Sequence, residues 1–375
     1  MAEPFKNLIN PGLVRACGHH LHRAWPGFDR LGFEAQAHGG LDALEMKARA
    51  MHIADALERA LPDDFDRAAG VIEAALAPPA TDDRLGFATS EAGLAGWIGW
   101  PLGEFIARRG QAEPERALLA LRELTQRFTS EFAVRPFLVN HFTLTIERLR
   151  GWSADPSPHV RRWTSEGSRP RLPWGLQVRS LVADPSPTLP LLAALQDDPS
   201  EYVRRSVANH LNDIARDHPQ LVADWLARHL PGASPERTAL LRHASRTLVK
   251  RGHPQTLKAW GLGGKLDGEA TLSVSPKRVA VGDSLAINAV LVSRSRRKQA
   301  LVVDYVVRHV KANGDTSPKV FKGWMLELGA GETRRLSKSH SLRPITTRRY
   351  YPGRHRIELQ VNGKVVAEAT FTLVK

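Results

Sequence analysis

The sequence predicts an α-solenoid of HEAT-like helical repeats followed by a C-terminal immunoglobulin-like β-sandwich. Three observations predict it. A motif recurs at repeat spacing within the first 260 residues, the hydrophobic pattern changes from helical to alternating after Gly261-Leu-Gly-Gly264, and positive charge concentrates beyond that point. One core rarely grows past roughly 250–300 residues, so the 375-residue chain is expected to divide, at 1–262 and 268–375.

In the N-terminal region, Leu41, Leu44, Ala48, Met51, Ala54 and Leu57 fall at the spacing of one helix face, and Ala, Leu, Glu and Arg dominate to about residue 260. Asp155-Pro-Ser-Pro-His-Val-Arg-Arg162 recurs as Asp198-Pro-Ser-Glu-Tyr-Val-Arg-Arg205, with Val160 and Val203 43 residues apart. Val207, Leu211 and His218-Pro219 are echoed by Ala244, Leu248 and His253-Pro254 at spacings of 37, 37 and 35. Periods of this size describe paired helices that stack on a shared core and leave a concave face. Asp or Ser can cap the coming helix, and Pro is tolerated at its start. The valines and leucines are expected in the core. Arg161, Arg162, Arg204 and Arg205 fit either a solvated face or a row of phosphate contacts.

In the C-terminal region, Thr271-Leu-Ser-Val, Ser284-Leu-Ala-Ile-Asn-Ala-Val-Leu-Val, Leu301-Val-Val-Asp-Tyr-Val-Val and His355-Arg-Ile-Glu-Leu-Gln-Val read as strands, and Asn362-Gly363 as a hairpin turn. About seven strands suit an immunoglobulin-type sandwich. Residues 265–375 hold 21 Lys+Arg against 9 Asp+Glu, a net of +12 out of +14 for the whole chain. Such a surface favours polyanions. Two basic runs lie between expected strands: Arg294, Arg296, Arg297 and Lys298, then Arg348 and Arg349 after Thr346-Thr347. Exposed basic loops of this kind suit phosphate contact.

Several classes are excluded. The single cysteine, Cys17, allows no internal disulfide framework. The N-terminus lacks a signal-peptide apolar run, and Gly93 to Gly103 falls short of the roughly 20 residues that span a bilayer. A cytoplasmic protein with no membrane association is expected. Cys17-Gly-His19-His20-Leu-His22 crowds its ligand types into one stretch without the second pair that a structural zinc site needs. Phosphate-loop, nucleophile-elbow and dinucleotide motifs are absent. No metal or cofactor is expected.

Residues 129–174 stand out. Thr129-Ser-Glu131-Phe-Ala-Val-Arg135-Pro is followed by Ser165-Glu166-Gly-Ser-Arg169-Pro-Arg171-Leu-Pro-Trp174. Two carboxylates sit among Arg135, Arg161, Arg162, Arg169 and Arg171, with Trp152, Trp163 and Trp174 interleaved. Aromatics mixed with arginines supply stacking and phosphate contacts together. The glycine and two prolines from Gly167 to Pro173 enforce a loop beginning at Glu166. Pairing of Glu131 with Arg135 and of Glu166 with Arg169 is the plainer alternative.

These two motifs, set among HEAT-like repeats and preceded by Gly99-Trp-Pro-Leu-Gly-Glu-Phe-Ile106, resemble the AlkC branch of the AlkC/AlkD DNA alkylation-repair glycosylases over roughly residues 5–262. Some members of that branch carry an appended immunoglobulin-like domain. The resemblance implies a monomeric, nucleoid-associated enzyme that removes N-alkylated bases, chiefly 3-methyladenine and possibly 3-methylcytosine, from double-stranded DNA without metal or cofactor. It marks Glu131 and Glu166 as catalytic carboxylates and Trp174 as the aromatic beside the lesion. It leaves open whether the base is flipped or the DNA bent. A non-catalytic DNA-binding scaffold would share the repeats and charge, and a protein–protein adaptor would share the repeats.

Overall fold

A computed structural model of the chain describes residues 4–84, 86–262, 264–345 and 348–374. Among them are sixteen α-helices, all before Gly261, and eight strands, all after Gly264. Two compact units result: residues 1–218 with 233–244, and residues 219–232 with 245–375.

In the first unit, the helices between Pro11 and Ala183 share one apolar core. Helix Pro158–Gly167 packs on Glu201–Asp217, which packs in turn on Pro235–Ala244. Val160 and Val203 occupy equivalent, fully buried positions, and the repeated Asp-Pro-Ser explains the joint. Asp155 and Asp198 each accept from the amide two residues on, at 2.9 Å. Their second oxygens receive an arginine from a helix one repeat earlier: Arg122 Nε reaches Asp155 Oδ2 at 2.9 Å and Arg161 Nε reaches Asp198 Oδ2 at 2.6 Å. Arg161 Nη1 also donates to the Asp155 and Pro156 carbonyls at 2.8 Å, as Arg204 Nη1 does to Asp198 at 2.6 Å and Pro199 at 2.8 Å. The repeated aspartate is therefore a turn-former and an inter-repeat latch. Ser200 caps its helix through Val203 N at 3.5 Å, whereas Ser157 makes no capping bond.

The helix expected around Leu41–Leu57 runs from Met46 to Ala60 and buries a rotated face that keeps Ala54 and Leu57. Ala48 is exposed, while Arg49, Ala50, Ile53, Ala54 and Leu57 are buried. The cause is Arg49, whose guanidinium donates to the carbonyls of Ile9 (2.7 Å), Leu44 (3.0 Å), Lys6 and Asp42 (both 3.2 Å). A buried arginine saturated by main-chain acceptors turns the helix away from the phase its apolar residues suggest.

The second unit contains strands β1 (Gly268–Ser275), β2 (Arg278–Ala280), β3 (Ser284–Ser293), β4 (Gln299–Val310), β5 (Thr316–Leu328), β6 (Thr333–Ser341), β7 (Gly353–Val361) and β8 (Lys364–Val374). They form a three-stranded sheet, β1-β3-β6, and a five-stranded sheet, β2-β8-β7-β4-β5. Leu285, Ile287, Ala289 and Leu291 alternate inward along β3 as expected. Asn362 and Gly363, with φ of 48° and 76°, form the β7–β8 turn in the left-handed pair that a tight hairpin needs. The strand beyond the expected seven is the three-residue β2, which pairs parallel to β8.

Helices Pro219–His229, Arg246–Lys250 and Pro254–Ala259 belong to this unit as well. Leu257 and Leu262 pack with Val302 of β4. Asn362 accepts from Val302 N at 2.9 Å and donates to Gly264 O at 3.0 Å. A Cβ on Gly363 would lie 2.1 Å from Gly252 Cα, so the turn and the helical segment meet backbone to backbone. These helical segments thus share the compact unit of the sandwich, while the change from helices to strands falls at the glycine-rich stretch.

Candidate active site

Glu131 lies in the turn before helix Arg135–Asn140, with its side chain 13% exposed. Glu166 belongs to the last turn of helix Pro158–Gly167, and the loop starts two residues later than the sequence suggests. Gly167 extends the helix because its backbone packs where a Cβ would meet Val134 Cγ1 at 2.6 Å.

Arg162 joins the two carboxylates. Its Nη1 donates to Glu131 Oε2 and, at 2.8 Å, to Thr129 Oγ1, and its Nη2 lies 3.6 Å from Glu166 Oε1. Thr129 Oγ1 donates to the same Glu131 oxygen at 2.8 Å. Every described hydrogen bond to Glu131 thus ends on Oε2. Glu166, almost wholly buried, has both oxygens engaged: Arg169 Nη1 donates to Oε1 at 2.6 Å and Ser206 Oγ to Oε2 at 2.6 Å. Burial alone would raise its pKa, but Arg162, Arg169 and the Ser206 hydroxyl outweigh it and hold the carboxyl below its usual range. Arg169 Nε continues to Asp213 Oδ2 at 2.8 Å.

Beside this network is a cavity of about 280 Å³ lined by Phe87, Trp97, Phe128, Tyr202, Glu131 and Arg162. The Arg162 guanidinium carbon sits 5.1 Å from the Tyr202 ring centre. The site is a carboxylate–guanidinium chain with one member, Glu131, opening onto an aromatic wall. Such a wall and carboxylate suit a planar or cationic guest.

Trp174 is not in this cavity. It stands 69% exposed on the loop that follows, at φ 65°, and lines a separate cavity of about 790 Å³ with Phe5, Met46 and Trp100. Trp100 stacks on Phe132, next to Glu131, and Phe5 meets Trp97 edge-on, so the two cavities share an aromatic partition.

The arginines expected at DNA divide sharply. Arg135 is fully buried, donating to Gly167 O at 2.8 Å and to Leu176 O, and desolvation lowers its pKa to about 10. It is a core residue with no surface for a phosphate. Arg161 is the inter-repeat latch, and Arg169 is enclosed between Glu166 and Asp213. Arg162 faces the cavity but is committed to Glu131. Arg171 pairs with Asp217 at 2.7 and 2.9 Å, and Arg204 holds the repeat turn. Arg205 is exposed and pairs with Glu201 at 3.2 Å. In the sandwich, Arg294 pairs with Glu269 and Lys298 lies 3.7 Å from Glu327, while Arg296, Arg297 and Arg349 are exposed and Arg348 is half-buried. Thr346 and Thr347 lie outside the described residues.

The sequence reading missed Ser206 and Asp213, which lie 40 and 44 residues from their partners. A signal existed: Ser206, His210 and Asp213 form a polar stripe at helical spacing along a face otherwise built of Val and Leu. The metal-like Cys17 stretch is dispersed, with Cys17 buried and His22 bonded through Nδ1 to Phe28 O at 3.0 Å.

Helical repeats carrying a buried carboxylate network, followed by an immunoglobulin-like sandwich, define the class. The C-terminal Ig-like domain of the uncharacterised protein YhaZ is the family description that matches residues 269–375. YhaZ of Bacillus subtilis (strain 168) is 35% identical over 366 residues, 96% of each chain. The structure of Pseudomonas fluorescens alkylpurine DNA glycosylase AlkC, bound to DNA containing an abasic-site analog, is 32% identical with a TM-score of 0.89 over the whole of both chains. The chain belongs to the AlkC family and is also a relative of YhaZ.

Proposed function

We propose that this chain is a DNA glycosylase of base-excision repair, hydrolysing the N-glycosidic bond of N-alkylated bases, chiefly 3-methyladenine and possibly 3-methylcytosine, in duplex DNA. The observation that carries the reading is Glu131, an accessible carboxylate at an aromatic cavity, braced by Arg162 and Glu166. A family member caught on abasic DNA supports it.

A ring-alkylated base is cationic and leaves neutral, so departure needs little acid assistance. The charge that develops is on the sugar. As the bond stretches, C1′ and O4′ gain oxocarbenium character, which a preorganised carboxylate stabilises. Glu131 takes that role, its Oε1 facing the sugar and orienting the attacking water. Glu166 acts through Arg162, fixing its guanidinium so that Glu131 is held by one oxygen only. Trp174 meets the DNA beside the lesion, where its ring face favours a cationic base by roughly 0.5–2 kcal/mol. The sandwich, residues 268–375, clamps the duplex through Arg296, Arg297, Arg348 and Arg349, and the enzyme works as a monomer. No metal or cofactor enters this scheme.

The test is base release. The full chain is incubated with methylated duplex DNA and free bases are identified. Release of 3-methyladenine, lost in Glu131→Gln, supports the reading. DNA binding without any release would make the protein a binding scaffold.

A further inference from the structure

The loop between helix Pro158–Gly167 and helix Arg179–Ala183 displays a second large apolar side chain. Leu176 is 53% exposed, two residues beyond Trp174. It is not among the residues that line the cavity that Trp174 overhangs. Exposed loop leucines are common and need no explanation when the loop is free to fold them back. This loop is not free.

Arg135 bolts it from beneath. The fully buried guanidinium donates from Nη1 to Gly167 O at 2.8 Å, at the loop's start, and from Nε to Leu176 O itself. No carboxylate hydrogen-bonds Arg135 among the described residues, and its Nη2 has no partner. A desolvated cation is thus committed to two main-chain carbonyls, a costly arrangement that fixes the loop's two ends. Gly175 seats on the same side chain, where a Cβ would meet Arg135 Cδ at 3.1 Å and Leu172 Cδ2 at 3.1 Å. Trp174 takes a left-handed conformation that tryptophan rarely adopts. Strain of this kind persists only where the surroundings overdetermine it. Here it keeps an indole and an isobutyl group in solvent.

We propose that Leu176 is a wedge that enters the base stack of bound DNA at the step beside the damaged nucleotide, and that Arg135 is the positioning residue that holds it out. The inference rests on the glycosylase reading for its partner. Its physical basis is general: proteins that distort duplexes insert rigid apolar side chains between base steps, offsetting the unstacking cost by the contacts that a bent duplex permits. A wedge must be preorganised, since a flexible leucine would fold back rather than separate stacked bases.

The experiment uses the full chain and a duplex carrying 2-aminopurine next to a tetrahydrofuran abasic site. Loss of stacking brightens 2-aminopurine. Wild type is expected to brighten it on binding, Leu176→Ala to abolish most of the rise, and Leu176→Met, which keeps a long apolar side chain, to retain it. Single-turnover excision should fall roughly tenfold in Leu176→Ala, as a lost unstacking contribution of a step implies, while affinity for undamaged duplex stays within about twofold. Arg135→Lys should reproduce the fluorescence loss. Because that variant can fail to fold, the surface substitution at Leu176 decides the matter. An undiminished rise in Leu176→Ala overturns the wedge, as does a wild type that binds without brightening the probe. A wild-type rise that depends on Leu176, in a protein that releases no base, would keep the wedge and remove the glycosylase reading.

Discussion

Neutralising four arginines of the sandwich tests the proposal that it grips DNA. Arg296 and Arg297 are exposed on the β3–β4 loop and have no described carboxylate partner, whereas Arg294 and Lys298 on either side are already opposed by Glu269 and Glu327. Arg349 is exposed with its guanidinium carbon 5.6 Å from the Tyr351 ring centre, and Arg348 lines a cavity with Ile345 and Tyr350. Each phosphate contact contributes about 0.9 to the slope of log affinity against log salt, so losing all four should flatten it by about 3.6. Referred to 1 M salt, that is about a 10³-fold loss of affinity at 0.15 M, and about 30-fold if only two make contact. Stability should change little at Arg296, Arg297 and Arg349, since exposed loop substitutions usually shift it by no more than about 0.5 kcal/mol, and a thermal melt checks the half-buried Arg348. Fluorescence anisotropy of a labelled duplex across a salt series, for wild type and the four-site glutamine variant, gives both numbers. Superimposable slopes would refute a sandwich that grips DNA.

Further outcomes follow elsewhere in the chain. The sandwich buries His309, His340 and His355 beside one another, and burial lowers the first two to about 3 and about 4. Unfolded histidine titrates near 6.5, so the stability they contribute is complete above that pH and is lost as pH falls toward the folded values, at up to about 1.4 kcal/mol per unit per histidine. Protection factors of β4, β6 and β7 amides, corrected for the intrinsic exchange rate at each pH, should fall from pH 7.5 to pH 5, and His309→Phe should blunt the trend; flat protection factors count against it. Ser206→Ala removes a 2.6 Å donor from Glu166, so its carboxyl should titrate higher and the acid limb of the pH–rate profile should move up, with partial restoration in Ser206→Thr. An unmoved limb would leave Ser206 outside the site. A chain cut after Gly264 should lose the packing of Leu257, Leu262 and Gly252 on the sandwich and expose them, read as faster proteolysis across residues 245–262. Resistance equal to the full chain's would contradict that packing.

How legible these features are in the sequence depends on how far apart their causes lie. Alternation along Ser284–Val292 and the Asn362-Gly363 turn are local, and both mark their structures correctly. The Asp155 and Asp198 motifs reveal the repeat because each cycle needs the same turn. Their arginine latches do not show, since Arg122 and Arg161 act one repeat away. Arg135 reads as a surface cation because arginine is rarely buried; only its two distant carbonyl acceptors make burial tolerable. Glu131 and Glu166 draw notice through their setting, but Arg162 between them, Ser206 and Asp213 take their places by helix packing.

The most direct measurement is single-turnover release of free base from methylated duplex DNA by wild type, Glu131→Gln and Glu166→Gln. Wild type should release 3-methyladenine, and either variant should be slower by roughly 10²-fold or more, as loss of one preorganised electrostatic group commonly produces, with DNA affinity preserved. Near-wild-type rates in both variants, or no release by wild type, would contradict carboxylate-stabilised excision at this site.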